Sequence, residues 1–283
     1  MSNILLTGSS GFIGSNILAT LSKKNKIYII LRSRKRKKNL LKKNIKIINF
    51  KKYDALNLKL KKIKIDTVIH CATHYVKEHG YNDIKKLAES NILFGNIILE
   101  NIDLMNVKKF INFSTVWENN DKTNGITNLY SYYKKAFTDI IKFYKKKFSS
   151  IKFYELMISD TFGKNDQRNK IINILRKNYK KDIATEITSK NLYLNLLNVE
   201  DIVTAINSIL TRKIKPNQYV LKNTKNFKIF ELIRLFNKKN EKKIKVKWQS
   251  GVTIMNKIYD YKKLKSWKPK KSNVDDIINL IKN

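Results

Sequence analysis

The sequence predicts an α/β protein: a doubly wound parallel sheet with a smaller C-terminal α/β lobe. Three observations carry that prediction. Short apolar runs alternate with stretches of helical periodicity from Asn3 to Met157. A glycine-rich turn, Thr7-Gly8-Ser9-Ser10-Gly11-Phe12-Ile13-Gly14, joins the first apolar run to the first helical one. Beyond Gly163 the alternation loosens. Strands that alternate with helices imply parallel pairing through right-handed crossovers.

Asn3–Thr7 reads as a short buried strand. Phe12–Lys23 has apolar residues at Phe12, Ile13, Ile17, Leu18 and Leu21, the spacing of a helix. Ile27–Leu31, Ile45–Phe50 and, after Asp66, Thr67–Ala72 read as further strands. Tyr81–Asn101 has long helical character, and Phe110–Ser114 is a fifth strand. A helix over Tyr130–Phe148 and a sixth strand over Lys152–Met157 complete the pattern. Residues 1–163 then form the dinucleotide-binding domain and residues 164–283 mainly the substrate lobe, with some segments returning to the main domain. In that lobe helices are expected near Asn169–Asn178, Glu200–Leu210, Ile229–Asn237 and Val274–Lys282. Short strands are expected at Tyr219–Leu221 and Lys243–Trp248. Both prolines, Pro216 and Pro269, fall in this last third. No Gly/Ser-rich or Pro-rich linker and no internal repeat is seen.

Composition narrows the class. With 283 residues, 42% of them hydrophobic, the chain can bury a full core and is not a disordered polyelectrolyte. No apolar run approaches the roughly 20 residues that span a bilayer. The N-terminus lacks the basic flank and cleavage site of a signal peptide, and one cysteine, Cys71, allows no disulfide framework. The expectation is a soluble cytoplasmic protein without membrane contact. A net charge of +38 invites a nucleic-acid reading, since phosphate backbones reward lysine. The lysines are spread over the whole chain among many asparagines and isoleucines, the mixture an A/T-rich genome imposes. No nucleic-acid partner is therefore expected.

The glycine turn is the sharpest local signal. Three of eight glycines fall at Gly8, Gly11 and Gly14. Glycine there permits a tight turn, close approach of backbone to a pyrophosphate, and close helix–strand packing. The following helix offers unpaired N–H groups and a favourable dipole. Gly8, Ser10, Gly11, Phe12, Ile13 and Gly14 are thus the expected pyrophosphate cradle of a Rossmann-type dinucleotide site. The second strand ends in Arg32-Ser33-Arg34. An acid there would hold the adenosine ribose hydroxyls, whereas an arginine pairs with a 2′-phosphate. Arg32, helped by Ser33 or Arg34, therefore favours NADP(H) over NAD(H).

Tyr130 and Lys134 lie four apart at the start of a helix and so share a face. An unperturbed tyrosine, with a pKa near 10, is a poor acid or base at neutral pH. A neighbouring ammonium favours the phenolate, which lets Tyr130 exchange a proton with a sugar oxygen while hydride moves at carbon. Lys134 would also hold the nicotinamide ribose.

Taken together the chain resembles the extended short-chain dehydrogenase/reductases, the NAD-dependent epimerase/dehydratase family that acts on nucleotide sugars. The matching pieces are the glycine turn, Asp54-Ala55-Leu56, Asp66-Thr67-Val68-Ile69-His70-Cys71-Ala72, and Asn91-x-x-x-Gly95-Asn96. They continue with Phe110–Trp117, Tyr130-x-x-x-Lys134, and Val199-Glu200-Asp201-Ile202-Val203. Within the family, Asn128–Phe137, Ser159–Arg168 and Leu264–Lys270 are similar to the CDP-abequose/CDP-paratose synthase branch. The resemblance implies cofactor contacts from Asp54, Ala55, Cys71, Ala72, Thr73, Tyr130 and Lys134. It implies substrate contacts along Asp160 and Thr161, with Arg168 and Lys170 suited to a diphosphate. Asn91 would tie a helix to the active-site strand, and a homodimer would form through residues 81–101 and 129–148.

The catalytic hydroxyl is less regular. The family usually places a Ser or Thr three residues before a Val-Tyr-like pair, and counting back from Val116-Trp117 lands on Phe113. Ser114 or Thr115 must substitute, with Ser114 favoured. Family 4,6-dehydratases carry Asp-Glu after that position. Here no acid precedes Glu118, which argues against dehydration. His70, Cys71 and His74 lack a fourth ligand, so no metal is expected. The three tryptophans read as packing residues.

The function so implied is NADPH-dependent reduction of a nucleotide-linked 4-keto-6-deoxy sugar, in surface-polysaccharide sugar synthesis. The alternatives are a nucleotide-sugar 4-epimerase with tightly bound NAD, and a non-enzymatic dinucleotide sensor on the same fold.

Overall fold

A computed structural model describes residues 1–32, 43–118, 128–250, 262–265 and 267–283. The chain divides into two compact units: Met1–Met157 with Ile214–Tyr219, and Ile158–Lys213 with Val220–Asn283.

The first unit begins with β1 (Asn3–Thr7), α1 (Phe12–Leu21), β2 (Lys26–Leu31), β3 (Ile45–Asn49), α2 (Tyr53–Leu60) and β4 (Thr67–His70). It continues through α3 (Tyr81–Ala88), α4 (Phe94–Glu100), β5 (Lys109–Thr115), α5 (Leu129–Lys147) and β6 (Lys152–Ile158). With β11 (Gln218–Leu221) these strands form one seven-stranded sheet, ordered β11-β6-β5-β4-β1-β2-β3. The pairs β1–β2, β1–β4, β2–β3 and β4–β5 are all parallel. This is the doubly wound Rossmann-type order. It reverses between β1 and β4, and ligands bind outside the carboxyl ends of strands at such a point.

Periodicity explains the layers. In α1 the buried residues Gly14, Ile17, Leu18 and Leu21 fall three and four apart, one face of a helix. Leu5 and Val68 are register partners and enter one core with Phe94, Phe110, Phe137 and Phe153. The helical stretch expected over Tyr81–Asn101 is interrupted: Glu89–Leu93 forms a π-helical turn between α3 and α4, with Asn91 buried in it. Such one-turn widenings inside α-helices are frequent at functional sites.

The second unit has its own core. Ile172 and Leu175 of α6 (Ile171–Lys181) pack with Leu232 and Phe236 of α8 (Ile229–Lys239). Ile277 and Ile281 of α9 (Val274–Lys282) join them. Its strands are short: β7 (Asp160–Phe162), β8 (Thr185–Ile187), β9 (Tyr193–Leu194), β10 (Leu196–Asn198), β12 (Phe227–Lys228) and β13 (Val246–Trp248). They pair two by two, as β7–β10, β9–β12 and β8–β13. Asp201, in α7 (Val199–Thr211), accepts the N–H groups of Lys270 and Lys271 and the hydroxyl of Ser272. The Trp267 indole N–H is shared between the Asp201 carbonyl and Thr204 Oγ1, which anchors this half-buried tryptophan to α7. No helix among the described residues is long and apolar enough to cross a membrane.

Candidate active site

The glycine turn is as crowded as its composition requires. Gly8 has φ +66°, and a Cβ there would stand 2.7 Å from the Ala72 nitrogen. A Cβ at Gly14 would stand 2.2 Å from the Gly8 carbonyl oxygen, and the Gly11 N–H donates to that same oxygen at 2.9 Å. The end of β1, the end of β4 and the first turn of α1 therefore meet with no room for side chains. The N-terminus of α1 has no side-chain cap and no acid in its first turn. Its positive end suits an anion. The buried Ser9 hydroxyl has no partner among the described residues. These features fit a dinucleotide pyrophosphate held at Gly8–Gly14, with Ser10, Phe12 and Ile13 in the same turn.

Thr7 joins the two central strand ends. Its Oγ1 accepts the N–H groups of Cys71 and Ala72, both at 3.1 Å, and lies 3.0 Å from His70 Nδ1. An oxygen that already accepts twice is best matched as a donor to Nδ1, which assigns the His70 proton to Nε2. Burial, aided by the Lys134 cation, pulls the His70 pKa down to about 3, so the ring is neutral.

Beyond β4, Thr73 donates to Asn91 Oδ1 at 2.6 Å, and the amide of Asn91 donates to the His74 carbonyl at 3.0 Å. The π-turn thus pins Thr73 and His74, while Thr7 holds Cys71 and Ala72 before them. Arg32 lies at the end of β2, its guanidinium 5.7 Å from the centre of the Phe94 ring and bonded to Ser90 at 3.2 Å. Asp54 and Ala55 are exposed in the first turn of α2. Ser33 lies outside the described residues.

Asn128 caps α5, accepting the Ser131 N–H at 3.1 Å. Tyr130 and Lys134 then occupy successive turns. Tyr130 meets the Tyr75 ring edge-on at 5.1 Å, and Lys134 is buried. Burial pulls the Lys134 ammonium below its ordinary range, while Glu118, Cys71 and Glu155 oppose that shift. On β5, Asn112 is the register partner of His70, and the His70 ring packs on Phe137 of α5. Ser114, two residues on from Asn112, faces the same way. Its buried hydroxyl has no partner among the described residues, whereas Thr115 Oγ1 accepts the Trp117 N–H at 3.3 Å.

The remaining candidates, Asp160, Thr161, Arg168 and Lys170, lie in the second unit. Arg168 Nη2 bonds to Thr161 Oγ1 and to Asp166 Oδ2, both at 2.8 Å, which makes it a fixed rather than a mobile cation. Burial raises the Asp160 carboxyl, and Lys170 and Arg168 oppose the rise. Among the described residues no three His, Cys, Asp or Glu side chains gather as a metal site.

The profile of the NAD dependent epimerase/dehydratase family matches residues 4–221. The chain belongs to that family. It is accordingly an NAD(P)-dependent enzyme of the epimerase/dehydratase type. It is 22% identical to a CDP-abequose synthase of Salmonella muenchen over 236 residues, covering 82% of this chain and 79% of that one. It is 31% identical over 251 residues to a dTDP-D-glucose 4,6-dehydratase of Dictyostelium discoideum, covering 76% of this chain and 57% of that one. In fold it is similar to the UDP-glucuronic acid 4-epimerase of Bacillus cereus, with a TM-score of 0.80 at 19% identity and 99% of each chain covered.

Two features of this family member escaped the motif reading. Thr7 and His70 each lie in a motif, but no spacing pairs them, and only the register of β1 and β4 brings them together. Glu118 is the first acid after β5, and its partner Thr138 carries one signal in the sequence, a position four after Lys134.

Proposed function

We propose that the protein is an NADPH-dependent reductase of the 4-keto group of a nucleotide-linked 6-deoxy sugar. The observation that carries this reading is the buried Lys134 one turn from Tyr130 on α5, in the unit that holds the glycine turn. Bound NADPH supplies the hydride. Tyr130 gives the proton to the ketone oxygen, and Lys134, as a cation, makes the resulting phenolate affordable. The unpartnered Ser114 hydroxyl donates to the same oxygen, with Thr115 as the alternative. Ketone, hydride and proton together give the alcohol. In the second unit Lys170 and Arg168 hold the diphosphate beside Asp160 and Thr161.

Two features favour reduction over dehydration. Thr115, Val116 and Trp117 supply no acid after Ser114, and Glu118 is buried and takes a hydrogen bond from Thr138. The likeness to CDP-abequose synthases supports a CDP-linked sugar. With CDP- or dTDP-4-keto-6-deoxy sugars, NADPH absorbance at 340 nm should fall. Conversion of a UDP-hexose without added cofactor would favour a 4-epimerase instead.

Arg32 supports NADP(H), since the end of β2 presents a guanidinium where an acid would repel a 2′-phosphate. A charged hydrogen bond contributes about 1.5–3 kcal/mol. Arg32→Ala should therefore raise KM for NADPH roughly ten- to hundredfold and leave KM for NADH nearly unchanged. An equal change for both cofactors would count against the assignment.

The same reading includes a homodimer in the cytoplasm. Ile97 and Glu100 of α4 and Ile140, Phe143 and Tyr144 of α5 line a shallow groove, and Phe143 is 61% exposed.

A further inference from the structure

Beneath Lys134 lies a set of buried groups that the proposed chemistry does not use. Residues 116–118 form one tight turn after β5, and Glu118 at its end is only 5% exposed. Thr138, also buried, sits one helical turn beyond Lys134 on the same face of α5. Its hydroxyl donates to Glu118 Oε1 at 3.4 Å. Glu155 on β6 is buried as well, and its Oε2 has no partner among the described residues. A buried lysine and buried carboxylates are rare unless they compensate one another.

We propose that Glu118 is a positioning residue: held by Thr138, it is the counter-ion that keeps Lys134 charged inside the protein. The inference rests on the proposed role of Lys134 and deepens it. An ammonium moved out of water loses its hydration, and a carboxylate held by Thr138, the residue one turn along the same face, restores part of that loss. With Lys134 charged, Tyr130 can give up its proton. With Lys134 neutral, it cannot do so near neutral pH.

The surroundings are consistent from every packed element. At the end of β4, His70 is neutral, and the Cys71 thiol is pushed up by burial and supports the Lys134 charge less than Glu118 does. From β6, Glu155 is pushed up to about 6 by burial, with Asp139 adding to the rise and Thr138, Lys142 and Lys145 opposing it, and it supports the Lys134 charge less than Glu118 does. Asp139, Lys142 and Lys145 of α5 itself lie on its outer face, where Lys142 pairs with Asp139 at 2.7 Å. Burial raises Glu118 too, Lys134 lowers it and Glu155 raises it again. The sign follows. Removing the Glu118 charge lowers the Lys134 pKa, so Lys134 becomes neutral at a lower pH.

The test reads the charge on Lys134 without substrate. The protein is labelled with [ε-13C]lysine, and the Lys134 resonance is the one lost in Lys134→Met. Its titration should move to lower pH by roughly 1–3 units in Glu118→Gln. Thr138→Val should move it the same way by less, and the exposed Asp103→Asn should not move it. The alkaline limb of kcat/KM should follow in the same order. An unmoved titration in folded Glu118→Gln overturns the proposal. If that variant does not fold, an unmoved titration in Thr138→Val does so. A protein that reduces no ketone would refute the proposed function while the lysine titration still decides the role of Glu118.

Discussion

Tyr130→Phe should lower the rate of ketone reduction by about 10²–10⁴-fold, the usual share of a positioned general acid. The phenyl ring keeps the edge-on contact with Tyr75 and leaves the Asn128 cap of α5 untouched. NADPH affinity and thermal stability should therefore stay close to those of the wild type. The split is informative. A dinucleotide sensor needs no proton donor and would be indifferent to the loss of one hydroxyl. A structural tyrosine would lower Tm together with activity. Turnover measured at saturating NADPH, beside cofactor binding followed by fluorescence, separates the three outcomes.

Gly14→Ala should do the reverse, removing cofactor binding first. The new Cβ would stand 2.2 Å from the Gly8 carbonyl oxygen, and neither atom belongs to a flexible side chain. The first turn of α1 must move away from the end of β1. Forced overpacking costs about 1–3 kcal/mol. The same movement displaces the N–H groups aimed at the pyrophosphate, so NADPH affinity should fall by about tenfold or more at a comparable energy. Gly80→Ala is the matched control. It lies at the start of α3, nothing stands within 4 Å of its would-be Cβ, and its φ of −105° is open to any residue. Equal loss of NADPH affinity in both variants would show that the turn is not the cofactor cradle.

Much of the fold was legible because its signals are local. The alternation of strand and helix gave the order of β1 to β6, and the helix expected at Tyr130–Phe148 is found at Leu129–Lys147. What was not legible is short or weakly patterned. Helix α2 is only eight residues long and buries only Leu56 and Leu60, too little to stand out as a face. Strands β7 to β10 have two or three residues each, below the length at which alternation can be read. The π-turn at Glu89–Leu93 left no mark in the periodicity of Tyr81–Asn101, because one extra residue per turn shifts a helical face without breaking it.

The candidate site divides along the same line. The glycine turn and the Tyr130–Lys134 pair are patterns within one segment, so spacing alone exposed them. Most of the buried company of Lys134 comes from separate segments. Glu118 ends a turn after β5, Glu155 is on β6 and His70 is on β4, and no spacing in the chain links them to Lys134; only Thr138 shares α5 with it. They meet because α5 lies along the sheet, and burial then makes each charge depend on the others. For the proposed hydroxyl, Ser114 or Thr115, the strand adds a distinction that spacing does not carry. In the strand their side chains face opposite ways, and Ser114 shares its face with Asn112 and His70.

The most direct measurement of the central claim follows the hydride itself. The protein is given NADPH carrying deuterium at nicotinamide C4 together with a CDP-4-keto-6-deoxy sugar, and the products are read by mass spectrometry and NMR. The proposed function predicts one NADP formed per sugar reduced, with deuterium on the sugar's C4. An epimerised or dehydrated sugar without net cofactor oxidation, or deuterium that never leaves the nicotinamide, would contradict it.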